Sequence, residues 1–253
     1  MAKTGGYYMK AIILAAGYAT RLYPLTKDTP KALLPIDKKP IIDYIVEQIY
    51  TIEEIDEIYV VTNHKFAQNF QNWQKQTAGK AKITVLDDGT TTEENRRGAI
   101  GDISFVIDKM QIQEELLVIA GDNFFTYSLK DYYHFYKEKN KDCVCVKVWK
   151  DEKTLCNFGI ALLDENGKVL DIEEKPKNPK SNTVVFATYF YQKDTVPLFK
   201  QYLSQGNNPD APGNFPAWLY HKKDVYAYTF EGECYDIGTK ESYDEVRKLF
   251  EKS

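Results

Sequence analysis

Residues 10–35 read KAIILAAGYATRLYPLTKDTPKALLP. The apolar run over 10–15 predicts a strand that passes straight into Ala16-Gly17, and the loop beyond carries Arg21 and Lys31. Small residues at a strand end let the backbone come close to a ligand, because no side chain holds it off. A planar guanidinium and a point-charge ammonium on one loop suit a polyphosphate. Either cation alone has an ordinary reading as a solvated surface charge. Their setting favours phosphate: Pro24 and Pro30 stiffen a connection of eighteen residues (16–33), and ordered loops that long are usually functional. No G-x-x-x-x-G-K-[ST] is present, so the loop is not of the Walker type.

Outward from this loop, strand and helix signals alternate through the first half, the pattern of a sheet with crossover helices. Pro40 can take the first position of a helix carrying Ile41, Tyr44, Ile45, Ile49 and Ile52 at helical spacing. Strands are expected at 57–62, 82–86 and 115–120, with helices at 66–76 and 99–108. Ser128 and Asp131 resemble a helix start. In the second half, Asp164-Glu165-Asn166-Gly167 reads as a hairpin turn between strands 160–163 and 169–172. Further strands are expected at 142–149, 184–191 and 225–230. Residues 206–216 read as a loop, 236–239 as a turn, and Thr239 as the cap of a final helix. One mixed α/β domain over residues 9–253 accounts for this pattern, with a disordered leader at 1–8.

The 253 residues are 43% hydrophobic and 28% charged, an ordinary globular balance. A formal net charge of -4 argues against binding a nucleic-acid polymer. The four cysteines, Cys143, Cys145, Cys156 and Cys234, form no C-x-x-C and have only three histidines for company. Buried free thiols in a reducing compartment fit best. No apolar run is long enough to span a bilayer, and residues 1–8 lack the apolar stretch of a signal peptide. A cytoplasmic protein with no membrane partner is expected.

Three further stretches carry chemistry. Asp122 follows the buried strand 115–120, and in open α/β sheets ligands bind beyond the carboxyl ends of strands; a carboxylate there can hold a hard cation against phosphates. Glu173-Glu174-Lys175-Pro176 follows another strand, and Asp236 stands in Tyr-Asp-Ile-Gly-Thr. Singly, each also reads as a turn or a salt-bridged strand end.

In series these motifs resemble the sugar-phosphate nucleotidylyltransferases, most of all the short glucose-1-phosphate thymidylyltransferases. The shared elements are L-A-A-G-x-x-T-R-L-x-P-x-T-x-x-x-P-K, then Gly-Asp-Asn, Phe-Gly, Glu-Glu-Lys-Pro and Asp-Ile-Gly-Thr, covering residues 9 to about 248. The first is highly specific; the rest gain weight from their order. The resemblance implies a three-layer α/β/α Rossmann-like nucleotidyltransferase fold, with a mixed central sheet and a small β-rich sugar-binding part. The nucleotide half would cover about 9–125 and the sugar-phosphate half about 126–253. It further implies that Arg21 and Lys31 are catalytic cations. Leu14, Ala15, Ala16, Gly17, Tyr18, Ala19, Thr20 and Gly98 would bind the nucleotide. Asn123, Gly159, Glu174 and Lys175 would bind the sugar phosphate, and Asp122 and Asp236 would coordinate Mg²⁺. The implied partners are a nucleoside triphosphate (dTTP, or UTP or CTP) and a sugar 1-phosphate, with homo-oligomers common in the family. A cytidylyltransferase for phosphocholine or another small phosphate, and a non-catalytic nucleotide-sugar sensor, are the alternatives.

Departures from the family pattern are equally specific. Ala19 stands where a further glycine is usual, and Asn95-Arg96-Arg97 replaces Gly-Thr-Ala ahead of Gly98. Arg96 and Arg97 read either as anion contacts or as a solvated helix start. The usual glycine near Phe186-Ala187-Thr188 is missing, and Gly213-Asn214-Phe215-Pro216-Ala217-Trp218-Leu219 departs from the thymidylyltransferase pattern. The C-terminal helical extension of larger members is not seen, and an allosteric site built on it is not expected.

Overall fold

The computed structural model describes residues 8–77, 79 and 81–250. The expected leader lies outside the described residues apart from Tyr8, which is half-buried. In chain order the elements are β1 (Met9–Leu14), β2 (Pro35–Ile36), β3 (Lys39–Pro40), α1 (Ile41–Ile49), β4 (Ile55–Thr62), α2 (Ala67–Gln76) and β5 (Lys82–Asp87). Then come α3 (Ala99–Met110), β6 (Glu115–Ala120), β7 (Asn123–Phe125), α4 (Leu129–Lys139), β8 (Asp142–Val148), β9 (Gly159–Leu163) and β10 (Val169–Glu174). The last are β11 (Thr183–Tyr191), α5 (Leu198–Ser204), α6 (Asn214–Leu219), β12 (Val225–Thr229), β13 (Cys234–Asp236) and α7 (Lys240–Phe250). Two compact units share this chain: one holds everything up to Arg96, then Ile119–Leu129, then the chain from Gly232, and the other holds Arg97–Val118 and Lys130–Glu231.

The first unit is built on parallel strands β1, β4 and β5. Ile12, Ile13, Ile58, Val60 and Val61 are fully buried, as expected of strands covered on both faces. Parallel neighbours need crossover connections, and α1 and α2 supply them. Helix α1 buries Ile41, Ile42, Ile45, Val46 and Ile49. Pro40 precedes it as an extended cap residue, one position earlier than expected, with its carbonyl-side geometry (ψ 154°) still that of a strand. Helix α2 buries Phe70 and Trp73, whose indole N–H donates to Asp43 at 2.7 Å.

The same unit contains a short antiparallel ribbon, β7 with β13, pairing Phe125 with Cys234, Phe124 with Tyr235 and Asn123 with Asp236. Asp236 therefore ends a strand, where the sequence pattern suggests a turn. Phe124 anchors the ribbon, edge-on to Tyr44 at 4.9 Å and to Phe250 at 4.8 Å; such pairs contribute about 0.5–1.5 kcal/mol beyond area burial. Thr239 caps α7 as expected, its hydroxyl accepting from Ser242 N–H at 3.2 Å. Tyr243 then donates to the Pro35 carbonyl at 2.7 Å.

The second unit is mixed: β8 pairs antiparallel with β11 and parallel with β12, and β11 pairs antiparallel with β9. Strands β9 and β10 form the expected hairpin. Between Phe186 and Tyr189 the β8–β11 register shifts, so Ala187-Thr188, where the family's glycine is missing, forms a bulge. Tyr132 donates to Cys143 O at 2.7 Å and to Thr188 O at 3.3 Å across it. Residues 214–219 are helical, so the expected loop over 206–216 is shorter; Phe215 stacks on Phe199 at 3.8 Å. Cys143, Cys145 and Cys234 are buried free thiols, but Cys156 is exposed, since it lies in a short 3-10 segment rather than a strand. Among the described residues, no helix is long and apolar enough to cross a membrane.

Candidate active site

The loop after β1 is held by its neighbours' polar groups rather than by regular structure. Ala15 N–H donates to Val61 O at 2.9 Å, and Gly121 N–H donates to Leu14 O at 2.8 Å. Asn63, fully buried just after β4, donates from Nδ2 to Ala16 O at 2.9 Å while its Oδ1 accepts from Phe66 N–H at 3.1 Å. Further on, the buried Thr26 hydroxyl donates to Ala19 O at 2.7 Å, and Leu22 N–H donates to the same oxygen at 3.0 Å. These bonds hold Ala19 in the left-handed region, φ 49° and ψ 40°. That conformation explains the glycine usual there, because a Cβ in it crowds the following carbonyl.

Within this frame Leu14, Ala15 and Ala16 are half-buried, while Gly17, Thr20 and Arg21 are exposed. A Cβ at Gly17 would meet nothing within 4 Å, so its backbone is open to a ligand. Tyr18 is turned inward, 7% exposed, which leaves its backbone rather than its ring for contact. Arg21 makes no hydrogen bond or ion pair among the described residues.

Lys31 reaches from the loop to the end of β6 and donates to Asp122 Oδ2 at 2.8 Å. Burial opposes ionisation of Asp122, but the Lys31 charge and hydrogen bond, with the Arg21 charge behind them, outweigh it and hold the carboxyl below its usual range. Asn123 follows in β7, with Asp236 directly across the ribbon, so the backbone brings positions 122 and 236 together. Among the described residues no group of three or more metal-ligating side chains occurs. One or two carboxylates at a phosphate site match the way Mg²⁺ is held, through few protein ligands with substrate phosphates and water completing the octahedron. Asp122 supplies one carboxylate of the kind that suits Mg²⁺.

The remaining candidates lie in the second unit. Gly98 has φ +77°, and a Cβ there would come within 2.6 Å of Pro209 O. Ala99 and Ile100, the first residues of α3, donate to Asp210 O and Pro209 O at 3.1 and 2.9 Å. The glycine is thus required for the 209–210 carbonyls to satisfy the helix start. Arg97 lies over the Phe105 ring at 4.7 Å, and Arg96, at the boundary of the first unit, pairs with Glu93 at 3.1 Å. Gly159 and Glu174 are register partners in the β9–β10 hairpin. Burial pushes the Glu174 carboxyl up, only partly countered by Lys175, and the carboxylate has no hydrogen bond or ion pair among the described residues. Lys175 is exposed and adopts φ 50°, its N–H donating to Phe158 O at 3.1 Å.

The structure thus gathers Arg21, Lys31 and Asp122, with the Asp236 backbone beside them, in the first unit, and Gly159, Glu174 and Lys175 in the second. Asn63 and Thr26, which fix the loop carbonyls, escape sequence reading. An asparagine directly after a strand is the one available signal for the first; a threonine within a loop offers none for the second.

A nucleotidyl transferase family model matches residues 10–253. Among known proteins, the chain is 31% identical over 193 residues to the bifunctional protein GlmU of Methanocaldococcus jannaschii, covering 76% of this chain but 42% of that one. It is 26% identical over 247 residues to the UTP–glucose-1-phosphate uridylyltransferase AglF of Haloferax volcanii, covering 96% and 97% of the two chains. A solved UDP-glucose pyrophosphorylase, complexed with UDP-glucose, superposes with a TM-score of 0.83 at 23% identity, covering 97% of this chain and 99% of that one. That likeness establishes the mixed α/β fold expected from the sequence. With the family model spanning all but the first nine residues, this chain belongs to the nucleotidyl transferase family.

Proposed function

We propose that the protein is an Mg²⁺-dependent sugar-1-phosphate nucleotidylyltransferase, joining a pyrimidine nucleoside triphosphate to a hexose 1-phosphate and releasing pyrophosphate. The observation that carries this reading is the cationic loop of the first unit: Arg21 exposed and making no hydrogen bond or ion pair among the described residues, and Lys31 tied to Asp122 at 2.8 Å. Glucose 1-phosphate is the favoured acceptor; dTTP is favoured by the motif resemblance and UTP by the relative AglF.

The chemistry needs no protein nucleophile. An oxygen of the sugar 1-phosphate attacks the α-phosphorus in line, the new O–P bond forms as the bridging O–P bond breaks, and pyrophosphate leaves with that electron pair. The protein's part is positioning and charge. The open backbone at Gly17, with Leu14, Ala15, Ala16, Tyr18, Ala19, Thr20 and Gly98, would border base and ribose. Arg21 would fork onto the departing phosphates, and Lys31 would neutralise charge on the α-phosphoryl oxygens. Asp122 and Asp236 would hold Mg²⁺, which supplies Lewis-acid neutralisation of the phosphate charge when bound. Glu174 would accept hydrogen bonds from sugar hydroxyls, with Asn123 and Gly159 against the sugar and Lys175 on its phosphate.

The test is a pyrophosphate-release assay crossing the nucleoside triphosphates with a panel of sugar 1-phosphates and phosphocholine, with and without Mg²⁺. Release is expected with a pyrimidine triphosphate and a hexose 1-phosphate, and only with the metal. Release with phosphocholine alone would substitute the cytidylyltransferase reading, and none with any pair would leave a nucleotide-sugar sensor.

A further inference from the structure

Within the second unit, the end of β10 and the start of α6 share one unusual contact. A Cβ added at Gly213 would overlap Glu174 Oε2 and stand 2.9 Å from its carboxyl carbon. A Cβ at Gly159, the register partner of Glu174, would stand 2.9 Å from the same Oε2. The carboxylate is therefore seated in a notch left by two missing side chains. Nothing in the backbone demands glycine at 213, whose φ of -67° and ψ of -18° are helical and open to any L-residue. What the position excludes is volume. Glu174 is half-buried, and its carboxylate makes no hydrogen bond or ion pair among the described residues; partial burial without a partner is costly, and groups kept in that condition cluster at functional sites.

We propose that Gly213 is a specificity-determining position for the sugar: by carrying no side chain it lets the Glu174 carboxylate occupy the place from which it accepts hydrogen bonds from the hydroxyls of a hexose 1-phosphate. The inference rests on the function proposed above and adds to it a residue that touches neither substrate. It concerns GNFPAWL, the segment that departs from the thymidylyltransferase pattern. Because the atom a new methyl would strike is the free end of a flexible side chain, Gly213→Ala displaces the carboxylate while the fold accommodates the change.

The test is steady-state kinetics on the full chain with Gly213→Ala, Glu174→Ala and the double variant, using the sugar 1-phosphate that supports most turnover in the wild type. Gly213→Ala is expected to leave the circular dichroism spectrum unchanged, because the helical φ and ψ at 213 admit any L-residue. It should raise KM for the sugar 1-phosphate at least about tenfold, the scale of a misplaced hydrogen-bonding group, and leave KM for the triphosphate within about twofold. In the Glu174→Ala background the same substitution should have no further effect, since coupled residues do not add. An active wild type with an unchanged sugar KM in Gly213→Ala overturns this inference alone. A loss that persists undiminished without the Glu174 side chain overturns it too, because Gly213 would then act by another route. A wild type that turns over no sugar 1-phosphate overturns the underlying function and this inference with it.

Discussion

Ala19 is one of the non-glycine residues whose backbone takes a conformation that favours glycine. Its φ of 49° is stabilised from outside, by Thr26 and Leu22 donating to its carbonyl. A non-glycine residue in that region costs about 1–2 kcal/mol, while glycine would give back part of this through the entropy of the unfolded chain. Ala19→Gly is therefore expected to stabilise the protein by about 0.5–1 kcal/mol, raising the thermal midpoint by roughly 2 °C in a chain of this size; a lower midpoint in calorimetry would contradict the strain. Lys31 raises a different issue, for it neutralises Asp122 as well as serving the proposed triphosphate. Lys31→Ala should lower turnover by about 10²–10³ with the circular dichroism spectrum unchanged, and near-normal pyrophosphate release would remove the lysine from the mechanism. Lys31 could be singled out from the sequence because its chemistry lies in its own side chain, and Ala19 because a glycine is usual at its place in the motif. Asn63 and Thr26 could not, since their role depends on which carbonyls the fold brings to them.

At the scale of elements, β1, β4 and β5 are tied together by charge as well as by their ladders. Lys10 on β1 donates to Asp56 at 3.0 Å and to Glu57 at 3.2 Å, Lys82 on β5 reaches Glu57 at 3.1 Å, and Tyr59 donates to Glu57 as well. The Tyr59 hydrogen bond, against the penalty of burial and with help from Lys82 and Lys10, takes the Glu57 carboxyl from an ordinary 4.5 down to about 2. A lowered carboxyl stabilises the fold above its unfolded value, and that contribution is lost as pH falls from 4.5 through about 2. Glu57→Gln should thus be destabilising at pH 7 by at most about 3 kcal/mol, and by less than half of that near pH 3. Urea unfolding of both proteins at the two pH values measures this, and an equal difference at both would exclude Glu57 as the source. The long elements of the first unit were legible because their periodicity runs over many residues: α1 and β4 fall where the pattern puts them. The β7–β13 ribbon was not, because three-residue strands carry no periodicity and are held by aromatic contacts from distant positions, Tyr44 and Phe250 onto Phe124. Helix α6 was hidden for a related reason. Its Gly-Asn-Phe-Pro start looks like a loop, and it is packing of Phe215 on Phe199 that makes it a helix.

For the whole molecule, the chain is distributed over two compact units, each drawn from separated segments of sequence. It passes from one to the other after Arg96, Val118, Leu129 and Glu231. Such crossings leave no trace in composition, since none coincides with a Pro- or Gly-rich linker. The cationic loop, Asp122 and Asp236 belong to one unit yet come from three separate segments of chain. In genetic terms, no single contiguous piece of coding sequence specifies that unit, so recombination at one or two breakpoints cannot exchange it for a relative's version. A lineage carrying this architecture would have to alter that unit by codon changes within it rather than by shuffling modules.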